Sequence, residues 1–274
     1  MTRRASAVLT NLLLAGVLVA CSGGRPTTSS APTAVATPPP AALTILAAAS
    51  LGGALDELKG TYESSHPGTT ITISTESSAA LETQIEQGAP ADVFLSADTT
   101  NPQKLVDGGF AKGSAVAFAR NRLLIVVPHG NPGGINSPAD LAKPGLRIVA
   151  AGDSVPITNY ANQLVANLAK LPGYPADFAA KYAANIVTKV ENVTAIVAQI
   201  QLGQGDAAIV YLTDAKAIPL DTYGVPDEAN VLATYAGVVV KASSVPVAAQ
   251  AFLDWLAGPD GQAILATFGF MPPT

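Results

Sequence analysis

The chain has 274 residues, of which 49% are hydrophobic and 13% charged, so it can bury a sizeable core in one large lobe or two smaller ones. Its formal net charge is −5, and no basic cluster follows the first few residues, which argues against nucleic acid as a partner. A single cysteine excludes an internal disulfide and a cysteine-cluster metal site.

Residues 1–20 have the pattern of a signal peptide: "MTRR" is basic, and the apolar stretch "AVLTNLLLAGVLVA" is too short to span a bilayer comfortably. The stretch ends in "LVAC", which resembles the lipobox of bacterial lipoproteins, where the cysteine is lipidated and becomes the first mature residue. The alternative is an ordinary secretory signal with a coincidental cysteine. Because Cys21 is the only cysteine and stands where the motif requires it, we predict a lipid anchor on the extracytoplasmic face of the cell membrane. Removal of residues 1–20 would change the net charge to −7.

Residues 21–42 are rich in Pro, Ser and Thr and contain almost nothing to bury. Such a composition predicts an extended linker that holds a folded domain away from the membrane. The folded part is expected to begin near Leu43.

From Leu43 onward, strand-like and helix-like segments alternate. The apolar run "ALTILAAA" predicts a buried strand, and Leu51, Leu55, Leu58 and Tyr62 recur at helical spacing after it. The same alternation continues through "TTITIST" (a strand), "SSAALETQIEQG" (a helix) and "ADVFLSAD" (a buried strand). The pattern predicts an α/β fold with mostly parallel sheets and helices on both faces.

Two further strands, "RLLIVVP" (122–128) and "AGVVVKAS" (236–243), bracket a central block that has the same alternation. We therefore predict two lobes joined by a double hinge: lobe 1 comprises residues 43–121 and 237–274, and lobe 2 comprises residues 122–236. Such a protein can close around a ligand held between its lobes.

Four segments occur in an order and at spacings that resemble a known family. They are "AAASL" (47–51), "QIEQGAPADVFLSAD" (84–98), "GDAAIVYLTDA" (206–215) and "GPDGQAILATFGF" (258–270). Together they resemble the molybdate-binding proteins of bacterial ABC importers, a branch of the type 2 periplasmic-binding-protein fold. The resemblance covers residues 43–271, and "QGAPADVFLSAD" is its most specific part.

The resemblance implies a ligand and a set of groups that bind it. The ligand would be molybdate, with tungstate as a second, and no cofactor is implied. The binding groups would be the hydroxyls of Ser50, Ser78 and Tyr211 and the backbone amides of Ile157 and Val193. The implied partners are the permease and the ATPase of an ABC importer, and the binding protein itself would be a monomer.

This sequence departs from the family pattern at two places. The "VP" loop continues with Ile157-Thr158-Asn159, where the family usually has small residues and a glycine. Glu76 stands where a small or neutral residue is commoner, and because a carboxylate would repel an anion we expect it to point away from the site.

The residues themselves support an anion site, although each has a purely structural alternative. Ser50, Ser78 and Val193 stand at predicted helix starts after strands, and helix N-termini attract anions without any formal charge. A serine at such a position is commonly only a helix cap, and Tyr211 could simply be a core aromatic residue.

Two other classes of function compete with a binding protein. An enzyme is not favoured, because His66 and His129 lie in predicted surface turns and no nucleophile, phosphate-loop or zinc motif appears. A structural or adhesive lipoprotein would explain the anchor but not two hinged lobes. The alternative closest to the main prediction is the same fold binding another oxyanion, such as sulfate.

Overall fold

The computed structural model describes residues 40–216, 218 and 220–274. The predicted signal peptide (1–20), the lipidation site Cys21 and nearly all of the predicted linker (21–42) lie outside the described residues. Within the described part of the chain, every helix is too short or too polar to cross a membrane.

Strands and helices alternate along the described residues. The strands are β1 (Ala42–Ala48), β2 (Thr70–Glu76), β3 (Val93–Ser96), β4 (Ala111–Asn121), β5 (Leu123–Val127), β6 (Ile148–Ala151), β7 (Ile186–Val190), β8 (Ala208–Tyr211), β9 (Asp221–Tyr223) and β10 (Ala233–Val240). The α-helices are α1 (Gly52–Ser65), α2 (Ser78–Glu86), α3 (Thr100–Asp107), α4 (Pro156–Leu168), α5 (Phe178–Ala184), α6 (Val193–Gln201), α7 (Leu212–Lys216), α8 (Pro246–Ala257) and α9 (Pro259–Phe268). Short 3₁₀ turns cover Ala49–Leu51 and Pro138–Ala142.

The first lobe is built on a five-stranded sheet in the order β2-β1-β3-β10-β4. Strand β1 pairs in parallel with β2 and β3, whereas β10 pairs antiparallel with β3 and β4. The sheet is therefore mixed, and the prediction of mostly parallel sheets holds only for its β2-β1-β3 half. The reason lies in the connectivity, because β4 leaves this lobe and β10 returns to it without a crossover helix.

Both faces of this sheet are covered by helices, as predicted from the alternation of strand-like and helix-like segments. Alternate residues of β1 point to opposite sides: Ile45 and Ala47 join the main hydrophobic core with α1, α8 and α9. Leu46 instead packs with Leu81 and Ile85 of α2 in a smaller core on the other face. This two-sided burial is what a period of two in a fully buried strand produces.

The second lobe contains β5–β9 and α4–α7. Strand β5 lies between β8 and β9 and pairs antiparallel with both, and β6 pairs in parallel with β7. A parallel bridge between Ile148 and Ala207 connects the start of β6 to the start of β8. The predicted strand "DAAIVYLTD" ends at Tyr211, after which the chain turns at once into α7.

The chain passes between the lobes twice. The first crossing is Arg122, a single residue between β4 and β5, and the second is the segment 224–232 between β9 and β10. The predicted lobe boundary between residues 236 and 237 falls inside β10, which pairs in the first sheet from Ala233 onward.

The two crossings are bonded to each other. Arg122 forms an ion pair of 2.8 Å with Asp227. The Asn230 side chain accepts a hydrogen bond from the Leu123 amide and donates one to the Leu123 carbonyl, at 3.1 and 2.9 Å. The long crossing is thus held against the short one.

Candidate functional site

Two of the predicted binding residues, Ser50 and Ser78, lie where parallel strands of the first lobe end. Ala48, the last residue of β1, pairs with Glu76 at the end of β2, so the two strands finish side by side. Ser50 follows β1 in the 3₁₀ turn, and Ser78 is the first residue of α2, just after β2. Both serines are buried. Parallel strands that end together place both hydroxyls at one edge of the sheet.

The second lobe brings its candidates to an edge of the same kind. Ala151 and Val190, the last residues of β6 and β7, are paired in the parallel ladder. Ile157 is the second residue of α4 and Val193 is the first residue of α6, so each follows one of these strands across a short turn. Tyr211 ends β8 and is 1% exposed.

All five predicted binding residues line one small cavity, which has a volume of about 10 Å³. The lining residues are Ala48, Ala49, Ser50, Ser77, Ser78, Ala97, Val155, Pro156, Ile157, Asn192, Val193 and Tyr211. They come from both lobes, so the cavity lies where the lobes meet. None of these lining residues carries a charged side chain.

The hydroxyls of the two serines are held as donors toward this cavity. Ser50 Oγ accepts a hydrogen bond of 2.8 Å from the Tyr235 hydroxyl, and Ser78 Oγ accepts one of 3.0 Å from the Ala97 amide. Because each oxygen already accepts from the protein, its own proton can be donated to a group in the cavity. Ser77 has a different role: its Oγ accepts a bond of 3.3 Å from the Ala80 amide and caps α2.

Tyr211 presents a polar group that the described residues leave without a partner. Its hydroxyl oxygen is buried, and no described residue lies within hydrogen-bond reach of it. Burial raises the pKa of this hydroxyl well above 10, and the neighbouring Tyr235 and Tyr160 raise it further, so it stays protonated. A buried hydroxyl without a partner is costly, and such a group is therefore a candidate donor to a ligand.

The backbone amides of Ile157 and Val193 belong to the first turns of their helices, where N–H groups lack acceptors within the helix. Asn192 caps α6 by accepting a bond of 3.0 Å from the Ala195 amide. Pro156 occupies the first position of α4, where a missing N–H costs nothing. The positive ends of both helices thus lie at the cavity, and they add to its affinity for an anion.

Two carboxylates are near the cavity without lining it. One oxygen of Glu76 accepts hydrogen bonds from the Ser77 amide and the Asn192 side chain, at 2.7 and 2.8 Å. Because Glu76 belongs to the first lobe and Asn192 to the second, this contact joins the lobes beside the cavity. Glu191 is exposed in a shallow groove on the outer side.

A second, larger cavity of about 620 Å³ shares Ala49 and Ser50 with the first. It is lined mostly by apolar and small residues, together with Asp214, whose pKa burial raises well above 3.8. The start of α1, the hydroxyls of Thr194, Thr213 and Thr267 and the ammonium group of Lys216 also line it. Of the five predicted binding residues, however, only Ser50 lines the larger cavity, so the smaller cavity is the candidate anion site. In the described residues there is also no cluster of His, Cys, Asp and Glu that could hold a metal cation.

Sequence reasoning missed three residues that support this cavity. Asn192 could have been found, because Asn directly before a helical pattern is a common N-cap. Tyr235 and Asn121 gave no signal, since each lies in a strand and their contacts bridge residues far apart in the chain.

Two lobes joined by a double crossing, with an uncharged cavity of hydrogen-bond donors where they meet, define a two-lobed solute-binding protein. The chain belongs to the bacterial extracellular solute-binding protein family, whose model matches residues 43–271. This confirms the family resemblance that the four sequence motifs indicated.

Individual relatives agree with this assignment. The chain is 33% identical over 229 residues to the molybdate-binding protein ModA of Mycobacterium tuberculosis, an alignment that covers 83% of each chain. The solved structure of the periplasmic molybdate-binding protein of Azotobacter vinelandii superposes with a TM-score of 0.72 at 28% identity, covering 85% of this chain and all of that one. A more distant relative is an enzyme: an aconitate isomerase from a Pseudomonas species is 27% identical over 195 residues, or 70% of this chain and 72% of that one.

Proposed function

We propose that the protein captures molybdate, and tungstate as well, in the cavity between its lobes and delivers it to an ABC importer. The observation that carries this proposal is the buried hydroxyl of Tyr211, which has no partner among the described residues and lies in a cavity that Ser50 and Ser78 also line. The backbone amides of Ile157 and Val193 complete the proposed set of donors. The similarity to molybdate-binding relatives supports molybdate as the occupant.

The chemistry of the cavity favours an anion that only accepts hydrogen bonds. Molybdate, tungstate and sulfate are proton-free dianions at neutral pH, whereas phosphate keeps a proton for part of its population. A phosphate site gains from a carboxylate that accepts this proton, and no carboxylate lines this cavity. A buried carboxylate would also be costly beside a dianion unless it were protonated.

Discrimination between molybdate and sulfate must depend on size. Sulfate has the same charge but shorter bonds, so in a cavity fitted to molybdate its oxygens would lie too far from some of the donors. Sulfate remains the second candidate ligand, because it too is a dianion that only accepts hydrogen bonds.

Calorimetric titration of the purified protein with molybdate, tungstate, sulfate and phosphate tests the proposal. We expect tight binding of molybdate and tungstate that excess sulfate or phosphate does not displace. Displacement by sulfate alone would make the protein a sulfate receptor. Displacement by phosphate would require a carboxylate in the cavity and would overturn the assignment.

We further propose that Cys21 carries a lipid that anchors the protein, acting as a monomer, beside a permease and its ATPase. All five proposed donors come from one chain, so a single copy forms a complete site. Cys21→Ser should leave binding unchanged but release the protein from the membrane fraction, because the lipid supplies the attachment. Cell fractionation with immunoblotting measures this, and retention of the variant in the membrane would contradict the lipid anchor.

A further inference from the structure

Behind Ser50 lies a row of hydrogen-bonded, buried polar side chains that do not belong to the proposed binding residues. The Tyr235 hydroxyl is 2.8 Å from Ser50 Oγ, and Asn121 Nδ2 is 3.3 Å from the Tyr235 hydroxyl oxygen. Asn121 and Tyr235 are both fully buried. They lie on the neighbouring strands β4 and β10, next to the first crossing between the lobes.

The hydrogen bonds that link Asn121, Tyr235 and Ser50 can have only one direction of donation. Asn121 Oδ1 accepts a bond of 3.0 Å from the Arg122 amide, which fixes Nδ2 as the end that faces Tyr235. An amide NH₂ group can only donate, so the Tyr235 oxygen accepts. The buried Tyr235 proton then needs an acceptor, and among the described residues Ser50 Oγ is the one within reach. Ser50 therefore accepts from Tyr235, and its own proton is left for the cavity.

We propose that Tyr235 and Asn121 are positioning residues that orient the Ser50 hydroxyl as a donor to the bound oxyanion. This inference rests on the proposed function of the cavity. It assigns the preference for proton-free oxyanions partly to a residue that does not touch the ligand. A hydroxyl whose proton is held toward the ligand presents a donor to the proton of hydrogenphosphate, whereas a freely rotating hydroxyl could turn a lone pair toward that proton and accept it.

The same residues also connect Ser50 to the other lobe. Asn121 Nδ2 donates a second bond of 2.9 Å to Thr213 Oγ1, two residues after Tyr211 in the second lobe. The ring of Tyr235 packs edge-on against the ring of Tyr211, with centroids 5.7 Å apart and an interplanar angle of 64°. The hydroxyl donors of both lobes are thus held by one buried cluster next to the crossing.

The test is a double-mutant cycle in the full-length chain, read by competition calorimetry with molybdate, sulfate and phosphate. Tyr235→Phe keeps the ring and removes the hydroxyl, so molybdate and sulfate should each bind roughly fivefold more weakly. Phosphate affinity should stay constant or rise, because Ser50 could then accept its proton. In the Ser50→Ala background, Tyr235→Phe should cause no further loss.

A merely structural role for Tyr235 predicts different numbers. It would weaken all three anions by the same factor and would add its full effect to that of Ser50→Ala, and either result would overturn the proposal. Tyr62→Phe is the matched control, because Tyr62 is an equally buried tyrosine in α1 that packs on Phe252 and Trp255 and does not line the cavity. It should leave all three affinities unchanged. Melting curves establish that each variant is folded.

A measurement without ligand separates this inference from the proposed function. In the free protein, NMR of tyrosine-labelled chain should show a slowly exchanging Tyr235 hydroxyl proton, whose chemical shift changes in Ser50→Ala and not in Ser78→Ala. If Ser50→Ala leaves this proton unchanged, the hydrogen-bond chain is wrong even if molybdate binds. If the wild-type protein binds none of the oxyanions, the proposed function fails while the proton's response still decides the chain.

Discussion

The two lobes contribute different kinds of donor to the candidate site. In the proposed site the first lobe supplies the side-chain hydroxyls of Ser50 and Ser78. The second lobe supplies two backbone amides, at Ile157 and Val193, together with the Tyr211 hydroxyl, and all five residues line the cavity. A side-chain donor requires a particular residue type, but a backbone donor requires only a particular path of the main chain. The first lobe's half of the site is therefore fixed by residue identity and the second lobe's half is fixed largely by fold.

This difference explains how the unusual loop at the start of α4 is compatible with the site. Ile157 is buried, and the donor proposed there is its backbone amide, so its side chain does not need to be small. The Thr158 hydroxyl donates a bond of 3.0 Å to the Ala151 carbonyl, which ties the first turn of α4 to the end of β6. The backbone path is thus held by a contact that a glycine could not make.

The strongest test of the comparison removes a backbone donor from the second lobe. Val193→Pro deletes the amide proton at the first helical position, where proline is sterically accepted, and the preceding Asn192 already has the extended backbone that proline requires. We expect tenfold to roughly hundredfold weaker molybdate binding, because a hydrogen bond to a charged group contributes about 1.5–3 kcal/mol. Val193→Ala keeps the amide and should bind within about threefold of wild type. Equal losses in the two variants would mean that the side chain is what matters.

In the first lobe the corresponding test compares two adjacent serines. Ser78→Ala should weaken molybdate binding roughly tenfold or more, as should Ser50→Ala, since each removes a donor to a buried anion. Ser77→Ala removes a helix cap instead, so it should lower the free energy of unfolding by about 1 kcal/mol and affect binding less. Calorimetry and denaturant melts measure the two effects. A larger loss of affinity in Ser77→Ala than in Ser78→Ala would shift the ligand assignment by one residue.

Tyr211→Phe should separate stability from binding. Molybdate affinity should fall roughly tenfold, because one donor is lost. Without ligand, however, the variant should be as stable as wild type or more stable by about 1 kcal/mol, because a buried hydroxyl with no partner among the described residues has been removed. Thermal melts with and without molybdate measure both quantities. A clear loss of stability in the ligand-free variant would show that the hydroxyl has a structural partner.

The smallest expected effect concerns the charge that lies beside both halves of the site. Glu76→Gln keeps an oxygen that can accept from Ser77 and Asn192 but removes a negative charge near the proposed dianion. Molybdate should bind about threefold more tightly at low ionic strength, and the gain should shrink as salt is added. Glu191→Gln, which changes an exposed carboxylate, serves as the control. Weaker binding in Glu76→Gln would mean that the charged contact to Asn192 holds the lobes together.

The sequence was most informative about elements whose residues are consecutive. The helical spacing of Leu51, Leu55, Leu58 and Tyr62 predicted one buried face, and all four residues are buried, Leu51 in the 3₁₀ turn and the other three in α1. Strands β1, β3 and β10 were predicted for the same reason, since continuous apolar runs depend only on local order. Strand β2 was predicted from its β-branched residues, whereas β4 was not predicted. The antiparallel pairing of β10 could not be derived in this way, because strand direction in a sheet depends on how the chain re-enters the lobe.

The candidate site was accessible to sequence reasoning only through its motifs. Ser50, Ser78 and Tyr211 carry recognisable side chains, but Ile157 and Val193 were assigned by position in the family pattern and by nothing in their own chemistry. Asn121 and Tyr235 could not be found, because their contacts with Thr213 and Ser50 join segments 92 and 185 residues apart. Such pairs become visible only when the chain is folded.

The bonded crossings determine how the two lobes can move. Two independent connecting segments allow the lobes to twist as well as to rotate about the hinge, whereas one hinge allows only the rotation. The first crossing is the single residue Arg122. Its ion pair with Asp227, together with the hydrogen bonds between the Asn230 side chain and the Leu123 backbone, holds the long second crossing against it. From these contacts we expect the lobes to open by rotation about a single axis next to Asn121. The donors proposed for the second lobe would then leave the ligand together.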